Sequence, residues 1–120
     1  MAQKRAVKSA TTTARKALNA EAFTVKIHLL ILQGSLKARV TLAETGKPVS
    51  GLKINFRSGS AAIEACSAFT DPEGIAECSA GTQFSPAFIL DLIAAGYDAV
   101  FDGDAEFQPA TGHGSQQVIP

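Results

Sequence analysis

The sequence predicts an all-β protein, an antiparallel β-sandwich preceded by a basic N-terminal arm. Apolar and polar residues alternate with a period of two in several short segments, and turns containing Gly or Pro separate these segments at regular spacing. Such alternation is typical of strands with one buried side and one side in water. The charges are also divided along the chain. Residues 1–58 carry eleven bases and two acids, whereas residues 59–120 carry nine acids and no Lys or Arg.

The predicted arm comprises residues 1–21, and residues 22–120 form the predicted β domain. Residues 4–20 contain five bases and no acid. A basic segment without acids is typical of contact with an acidic surface, although a solvated tail is the alternative. One of the threonines at 11–13 is a candidate cap for a short helix through ARKALNAEA. We expect the arm to bind a partner through Lys4, Arg5, Val7, Lys8, Arg15, Lys16 and Leu18.

Three strands are predicted in the first half of the domain. The first runs over residues 23–31 and ends before Gly34, the second covers 36–42, and the third covers 52–56 after the turn ETGKPVSG. Their polar positions are mostly Lys and Arg, so we expect a basic outer face. The alternation predicts that one face buries Leu36, Val40, Leu52, Ile54 and Phe56, while Lys37, Arg39 and Lys53 stay outside.

The second half continues the pattern, with strands predicted in AAIEACSAFT, IAECSAGT, PAFILDLIAA, GYDAVFD and SQQVIP. DPEG between the first two is a turn, because Pro72 fixes φ and Gly74 tolerates a positive φ. A hairpin about this turn would place Cys66 and Cys78 diagonally, with Cα atoms about 7–8 Å apart. This register predicts two free cysteines that face inward.

Three segments, in chain order, resemble bacterial immunoglobulin-like domains, including those of phage virion decoration proteins. ETGKPVSGLKINF is similar to their opening segment, CSAFTDPEGIAEC resembles their central hairpin, which cysteines often flank, and GYDAVFDGDAEFQPATG is similar to their closing segment. Phe107 stands where Tyr is usual. The resemblance covers residues 33–119 and implies an immunoglobulin-like sandwich used for rigid display or adhesion, without implying a chemistry.

Tyr97 has the spacing of the tyrosine corner of immunoglobulin folds, two residues before the position that Ala99 occupies here in place of the usual Cys. The alternative interpretation is a core aromatic whose hydroxyl is hydrogen-bonded. These two interpretations nearly coincide.

No residue pattern predicts catalysis, and we expect no enzyme, no cofactor and no small-molecule substrate. Cys66 or Cys78 could be drawn as a dyad with His28, but nothing in the spacing supports one. The acids Asp98, Asp102, Asp104 and Glu106 are candidate calcium ligands, but an acidic docking patch is the favoured interpretation. The arm lacks aromatic residues for base stacking, so nucleic acid is not an expected partner.

The segment FTVKIHLLIL is interrupted by Lys26 and His28 and lies far from the N-terminus, so we expect neither a secretion signal nor membrane insertion. The acid-poor N-terminus also resembles a mitochondrial transit peptide. Our expectation is a bacteriophage capsid decoration subunit, made in the host cytoplasm, that docks on a capsid or other virion protein and on neighbouring copies. The alternative is an extracellular module of a secreted bacterial protein that binds carbohydrate or a cell surface, which exposed aromatics would favour.

Overall fold

A computed structural model describes residues 15–28, 33–78 and 82–119. Over these residues the fold is mostly β, with antiparallel sheets and one helix. The elements are β1 (Leu18–Ala22), β2 (Val25–His28), β3 (Gln33–Gly34), β4 (Lys37–Leu42), β5 (Lys53–Ser58), β6 (Glu64–Phe69), β7 (Ile75–Glu77), β8 (Thr82–Gln83), α1 (Pro86–Ala95), β9 (Tyr97–Phe101), β10 (Ala110–Gly114) and β11 (Gln116–Ile119).

The described strands form three sheets, with the orders β1-β4-β7, β10-β9-β5-β6 and β11-β2-β3-β8. Every pair is antiparallel except β11 and β2, which run parallel with Gln116 beside Val25 and Ile119 beside His28. The predicted antiparallel sheets are therefore found, and the pairing of β11 with β2 is a departure from them.

The core is made by the inward faces that the alternation predicted. Leu36, Val40, Leu52, Ile54 and Phe56 are all buried, and Lys37, Arg39 and Lys53 are not, which confirms this prediction. Burying each large apolar side chain stabilises the fold by about 1.5–3 kcal/mol. Tyr97 is buried among them and packs against Phe56, with ring centroids 6.1 Å apart.

The hydroxyl of Tyr97 ties two sheets together. It donates to the carbonyl oxygens of Phe23 and of Lys37, the latter at 3.0 Å. Burial raises the pKa of this hydroxyl to about 12. Tyr97 is thus a core aromatic with a satisfied hydroxyl. Its acceptors lie far away in the sequence, not a few residues upstream as in a tyrosine corner.

The segment Leu18–Ala22 is a strand, so the helix predicted through ARKALNAEA is wrong there. β1 pairs with β4 from Leu18 opposite Leu42 to Ala22 opposite Ala38. Its alternate residues Leu18, Ala20 and Ala22 pack against the core, and this tertiary contact outweighs the local helix propensity. Gly112 of β10 makes room for it, since a Cβ there would lie 2.5 Å from the carbonyl oxygen of Ala20.

The single strand predicted over residues 23–31 is only partly found. β2 covers Val25–His28 and pairs with β3, so that Ile27 lies opposite Gly34. Gly34 has no Cβ, which would otherwise lie 2.6 Å from Cδ1 of Ile27. Residues 29–32, the remainder of the predicted strand, lie outside the described part of the chain.

PAFILDLIAA is the helix α1, not a strand. The Ser85 hydroxyl accepts the backbone N–H of Phe88 at the N-terminus, Pro86 occupies the first turn, and the Gly96 N–H bonds to Leu92 at the C-terminus. Phe88, Ile89 and Leu92 recur at helical spacing and are buried. Within the described residues, no helix is both long and apolar enough to cross a membrane.

The DPEG turn forms as predicted, but its flanking strands do not make a hairpin. Asp71 Oδ1 accepts the N–H groups of Glu73 and Ile75, and Gly74 has φ +79°. β6 then pairs with β5, whereas β7 pairs with β4 in a different sheet. This divergence brings the Cα atoms of Cys66 and Cys78 to 6.4 Å, and the two form a disulfide. The prediction of free cysteines is wrong because its register assumed one hairpin.

Candidate functional site

Arg15 and Lys16, which we call the root of the N-terminal segment, are bonded to the loop between β9 and β10. The N–H of Lys16 donates to the Glu106 carbonyl and the Lys16 carbonyl accepts the N–H of Gln108, both at 2.9 Å, in a parallel bridge beside Phe107. The Gln108 side chain also donates to the carbonyl of Arg15 at 3.2 Å. Paired backbone bonds on both sides of one residue hold Lys16 at a fixed place on the body.

The loop that receives this root is ordered by Asp104. Its Oδ1 accepts the N–H of Glu106 at 2.8 Å and the N–H of Phe107 at 2.7 Å, and Phe107 packs against the core. Side-chain bonds of this kind stabilise a tight turn. Within the described ranges, no group of three His, Cys, Asp or Glu side chains is placed to hold a metal. The two hydrogen bonds that Asp104 accepts give it a structural role in this loop.

Basic and acidic parts of the chain meet at this point. The Lys16 ammonium lies 3.8 Å from the Glu106 carboxylate, and Arg15 donates through Nη1 to the Asp104 carbonyl at 3.4 Å. Both partners of the ion pair are more than half exposed, so the pair contributes about 0–1 kcal/mol. The backbone bonds fix the root, and the side-chain charges add little to that.

Three loops lie at the same end of the body as the root and form what we call the acidic pole, namely residues 43–52, 70–74 and 102–109. The Thr70 N–H bonds to the Leu52 carbonyl between the first two loops, the Val40 N–H of β4 bonds to Gly74, and the Asn55 side chain of β5 bonds to Asp102. The pole carries six exposed acids, namely Glu44, Asp71, Glu73, Asp102, Asp104 and Glu106. The sheet β11-β2-β3-β8 follows the far end of β1 and so lies at the opposite end of the body.

An open cleft of about 430 Å³ lies on the pole. Pro48 and Pro72, from two different turns, both line it. Arg39, another lining residue, lies over the ring of Phe23, with its guanidinium carbon 5.7 Å from the ring centroid. The full lining is Arg39, Thr41, Gly46, Pro48, Pro72 and Glu73. An apolar wall with charges of both signs suits a peptide segment better than a small apolar ligand.

A second polar surface is the outer face of the sheet β10-β9-β5-β6. Glu64, Arg57, Asp98 and His113 lie side by side across its four strands. His113 Nδ1 lies 2.7 Å from Asp98 Oδ1, while the buried Nε of Arg57 has no hydrogen-bond partner in the described part of the chain. Phe69 is 66% exposed on this face.

The structure places only some of the predicted site residues. Arg15 and Lys16 lie at the root, and Leu18 is part of β1 and packs against the core. Lys4, Arg5, Val7 and Lys8 lie outside the described residues. The conceivable cysteine dyad is excluded, because Cys66 and Cys78 are joined to each other.

Sequence reasoning missed Gln108 and the Pro48–Pro72 cleft, and it named Asp104 only as one of an acidic group. The turn that Asp104 stabilises had a local signal, since Asp side chains often accept backbone N–H groups two residues on. Gln108 and the cleft had no local signal, because each depends on segments that are distant in the sequence. Comparisons of the chain with protein-family models, curated proteins and solved structures found no match.

Proposed function

We propose that this protein is a non-enzymatic attachment module, an immunoglobulin-like β-sandwich that binds an acidic surface of a larger assembly through its basic N-terminal residues. One observation carries the proposal, namely the backbone hydrogen bonds that hold Lys16 between Glu106 and Gln108. They fix Lys16 to the body, and residues 1–14 lie just before this point in the sequence. Those residues include Lys4, Arg5 and Lys8 and no acid.

The sandwich assignment is supported by two ties between the sheets β1-β4-β7 and β10-β9-β5-β6. The disulfide joins β6 to the residue after β7, and the hydroxyl of Tyr97 in β9 bonds to the first residue of β4. The shared core of Val40, Ile54 and Phe56 lies on the inward faces of β4 and β5. This arrangement is what two sheets packed face to face require.

As the setting we propose a bacteriophage virion, with the protein as a capsid decoration subunit that binds a capsid or other virion protein. Virion surfaces and secreted proteins are both places where disulfides persist, so the disulfide is compatible with this setting and with the secreted alternative. The setting rests on the resemblance of residues 33–119 to the immunoglobulin-like domains of phage virion proteins.

The test is re-binding to particles from which the protein has been stripped. We expect a truncation of residues 1–14 to abolish re-binding, and the triple change Lys4→Ala, Arg5→Ala and Lys8→Ala to weaken it most at low salt, because screening shortens from about 10 Å at 0.1 M to about 3 Å at 1 M. The matched control replaces the exposed Lys26, Lys47 and Lys53 by Ala and should bind normally. Undiminished binding of the truncated protein would refute the proposal.

The polar outer face supports a second candidate function, binding of carbohydrate or a cell surface. Phe69 offers an exposed ring, and Asn55, Arg57 and His113 offer planar polar groups on the same face. We expect Phe69→Ala to abolish retention on immobilised cell-wall polysaccharide if this candidate is right. The truncation of residues 1–14 should then leave retention unchanged, which distinguishes the two candidates.

A further inference from the structure

We infer that Asp91 of α1 is an acid-sensitive switch. Its carboxylate holds the loop between β5 and β6, residues 59–63, on the helix, and its protonation releases residues 60–63. This device is separate from the proposed attachment function, because it involves neither the basic N-terminal residues nor the root. It depends on hydrogen bonds, a close backbone approach and one unusual backbone conformation, all within the described residues.

The carboxylate of Asp91 bonds to a segment that is distant in the sequence. Its Oδ2 accepts the N–H of Ala61 at 2.7 Å and the N–H of Ser60 at 3.1 Å, across 30 and 31 positions. Asp71 and Asp104 also accept two backbone N–H groups each, but from residues at most four positions away. Asp91 therefore joins two elements, whereas the other two carboxylates stabilise their own turns.

Ser58 adds a third hydrogen bond to this carboxylate from inside the fold. Its side chain is buried at the end of β5, where Oγ accepts the N–H of Ile63 at 2.9 Å, and the same hydroxyl bonds to Asp91. The bond from Ser58, followed by that from the Ala61 N–H, lowers the pKa of Asp91 below its ordinary value of 3.8. The closed loop thus favours the charged form of the carboxylate.

No other ionisable side chain belongs to this contact. Among the described residues, α1 carries no second acid or base, and loop 59–63 and β11, which also packs on α1, carry none. The charged or titratable groups of the strands beside the helix and the loop are Lys53, Arg57, Glu64, Asp98 and His113. His113 is paired with Asp98, and none of the five forms an ion pair with Asp91 in the described part of the chain. The acid response of the contact is therefore assigned to Asp91.

The loop stays attached at one end when the carboxylate bonds are lost. The N–H of Gly59 bonds to the Gly96 carbonyl at 2.9 Å, and neither group titrates. A Cβ added at Gly59 would lie 2.2 Å from the Ala95 carbonyl oxygen, so the backbone there directly contacts the end of the helix. Further along the loop, Ala62 has φ +55°, which is unfavourable for a residue with a side chain. Release from Asp91 lets Ala62 relax while Gly59 acts as the hinge.

Hydrogen exchange measured by NMR tests the switch. Because the pKa of Asp91 is lowered by folding, its contribution is fully present above about pH 4 and is lost as the pH falls through the lower folded value. We expect the protection factors of the Ser60 and Ala61 amides to fall at least about tenfold between about pH 6 and about pH 2.5, since bonds to a charged acceptor are the stronger ones. Protection in β5 and β9 should persist.

Three variants assign the effect to this carboxylate. Asp91→Asn keeps the shape without the charge, so the Ser60 and Ala61 amides should already be weakly protected at about pH 6 and show no acid transition. Ser58→Ala removes the bond that lowers the pKa most, and should move the transition to higher pH. The matched control Asp71→Asn removes a carboxylate that also accepts two N–H groups, and should leave the transition unchanged.

Four outcomes would overturn the inference. They are unchanged protection of the two loop amides in acid, the same acid transition in Asp91→Asn, its loss in Asp71→Asn, and loss of protection in β5 and β9 at the same pH as in the loop. The last would mean that the whole domain unfolds in one step. Should Asp91→Asn not fold, the direction of the shift in Ser58→Ala decides, because a transition that moves to lower pH or stays in place contradicts the switch.

Discussion

β1 and α1 are held in place by opposite means. β1 has no cap or turn of its own and depends on β4, on the loop 104–108 and on the space left by Gly112. α1 begins at a Ser cap with Pro in its first turn and ends at Gly96, all within its own sequence. One element is therefore defined by contacts that are distant along the chain and the other by local hydrogen bonds. Their responses to substitution should differ accordingly.

The largest effect should come from removing β1. Deletion of residues 1–22 takes away Leu18, Ala20 and Ala22 from the core and leaves the β4 edge unpaired, so we expect the cooperative thermal transition to disappear. Deletion of residues 1–14 keeps β1 and its root, and should leave the melting temperature nearly unchanged. Equal melting temperatures of the two truncated proteins in calorimetry would contradict the claim that the fold depends on β1.

Loss of the disulfide should come next. Cys66→Ala with Cys78→Ala removes a covalent tie across twelve positions, which lowers the free energy of unfolding by about 3 kcal/mol. Chemical denaturation measures this, with the reduced natural protein as a comparison. Intact mass after alkylation under denaturing, non-reducing conditions should show no added label, and two added labels would mean that the thiols are free.

A methyl group in β10 should loosen β1 specifically. Gly112→Ala places a Cβ against the Ala20 carbonyl, and we expect a loss of about 2 kcal/mol through the displacement of β1. Hydrogen exchange should become faster at the amides of β1 and stay unchanged at those of α1. The matched substitution Ala110→Gly, on the same strand, should spare the β1 amides. An effect of Gly112→Ala spread equally over both elements would argue against this local explanation.

Removal of the Tyr97 hydroxyl should act on the corner between β1 and β2. Tyr97→Phe leaves the Phe23 carbonyl without this donor and should cost about 1.5 kcal/mol. The hydroxyl keeps its proton to a higher pH in the folded protein than in the unfolded chain. Its contribution to the free energy of unfolding is therefore fully present below about pH 10 and is lost as the pH rises through about 12. This alkaline loss should be smaller in the Phe variant, and an identical loss would contradict the assignment.

The smallest effect should be at the cap of α1. Ser85→Ala removes the acceptor for the Phe88 N–H and should cost about 1 kcal/mol, whereas Ser85→Asp should retain most of the stability. Denaturation midpoints of the three proteins decide this. A loss in the Ala variant as large as that of the Gly112 variant would mean that α1 also depends mainly on distant contacts.

The sequence predicted the parts of the fold that depend on local chemistry. The alternation at Leu52, Ile54 and Phe56 identified the buried face, and Asp71 and Gly74 identified their turn, because each pattern lies within a few residues. It could not predict that β6 and β7 enter different sheets, since this depends on which distant strand each one meets, and the cysteine prediction failed with it.

The candidate site likewise has features that the sequence predicts and features that it does not. The positive charge of the N-terminal segment is visible in the sequence, as is the acidity of the loop near Asp104. That Lys16 is held between Glu106 and Gln108 is not, because about ninety residues separate the partners and no local pattern links them. For α1 the local signals were present in Ser85, Pro86 and Gly96, and the prediction of a strand gave them too little weight.

The parallel pairing of β11 with β2 has a practical consequence for engineering. It places Ile119 beside His28, on the sheet at the opposite end of the body from the acidic pole. A fluorescent protein, an enzyme or an antigen joined after the C-terminal strand would therefore extend away from the end that carries the basic segment. Under the proposed attachment function, such fusions should bind the assembly without obstructing the basic segment, with one cargo for each copy bound.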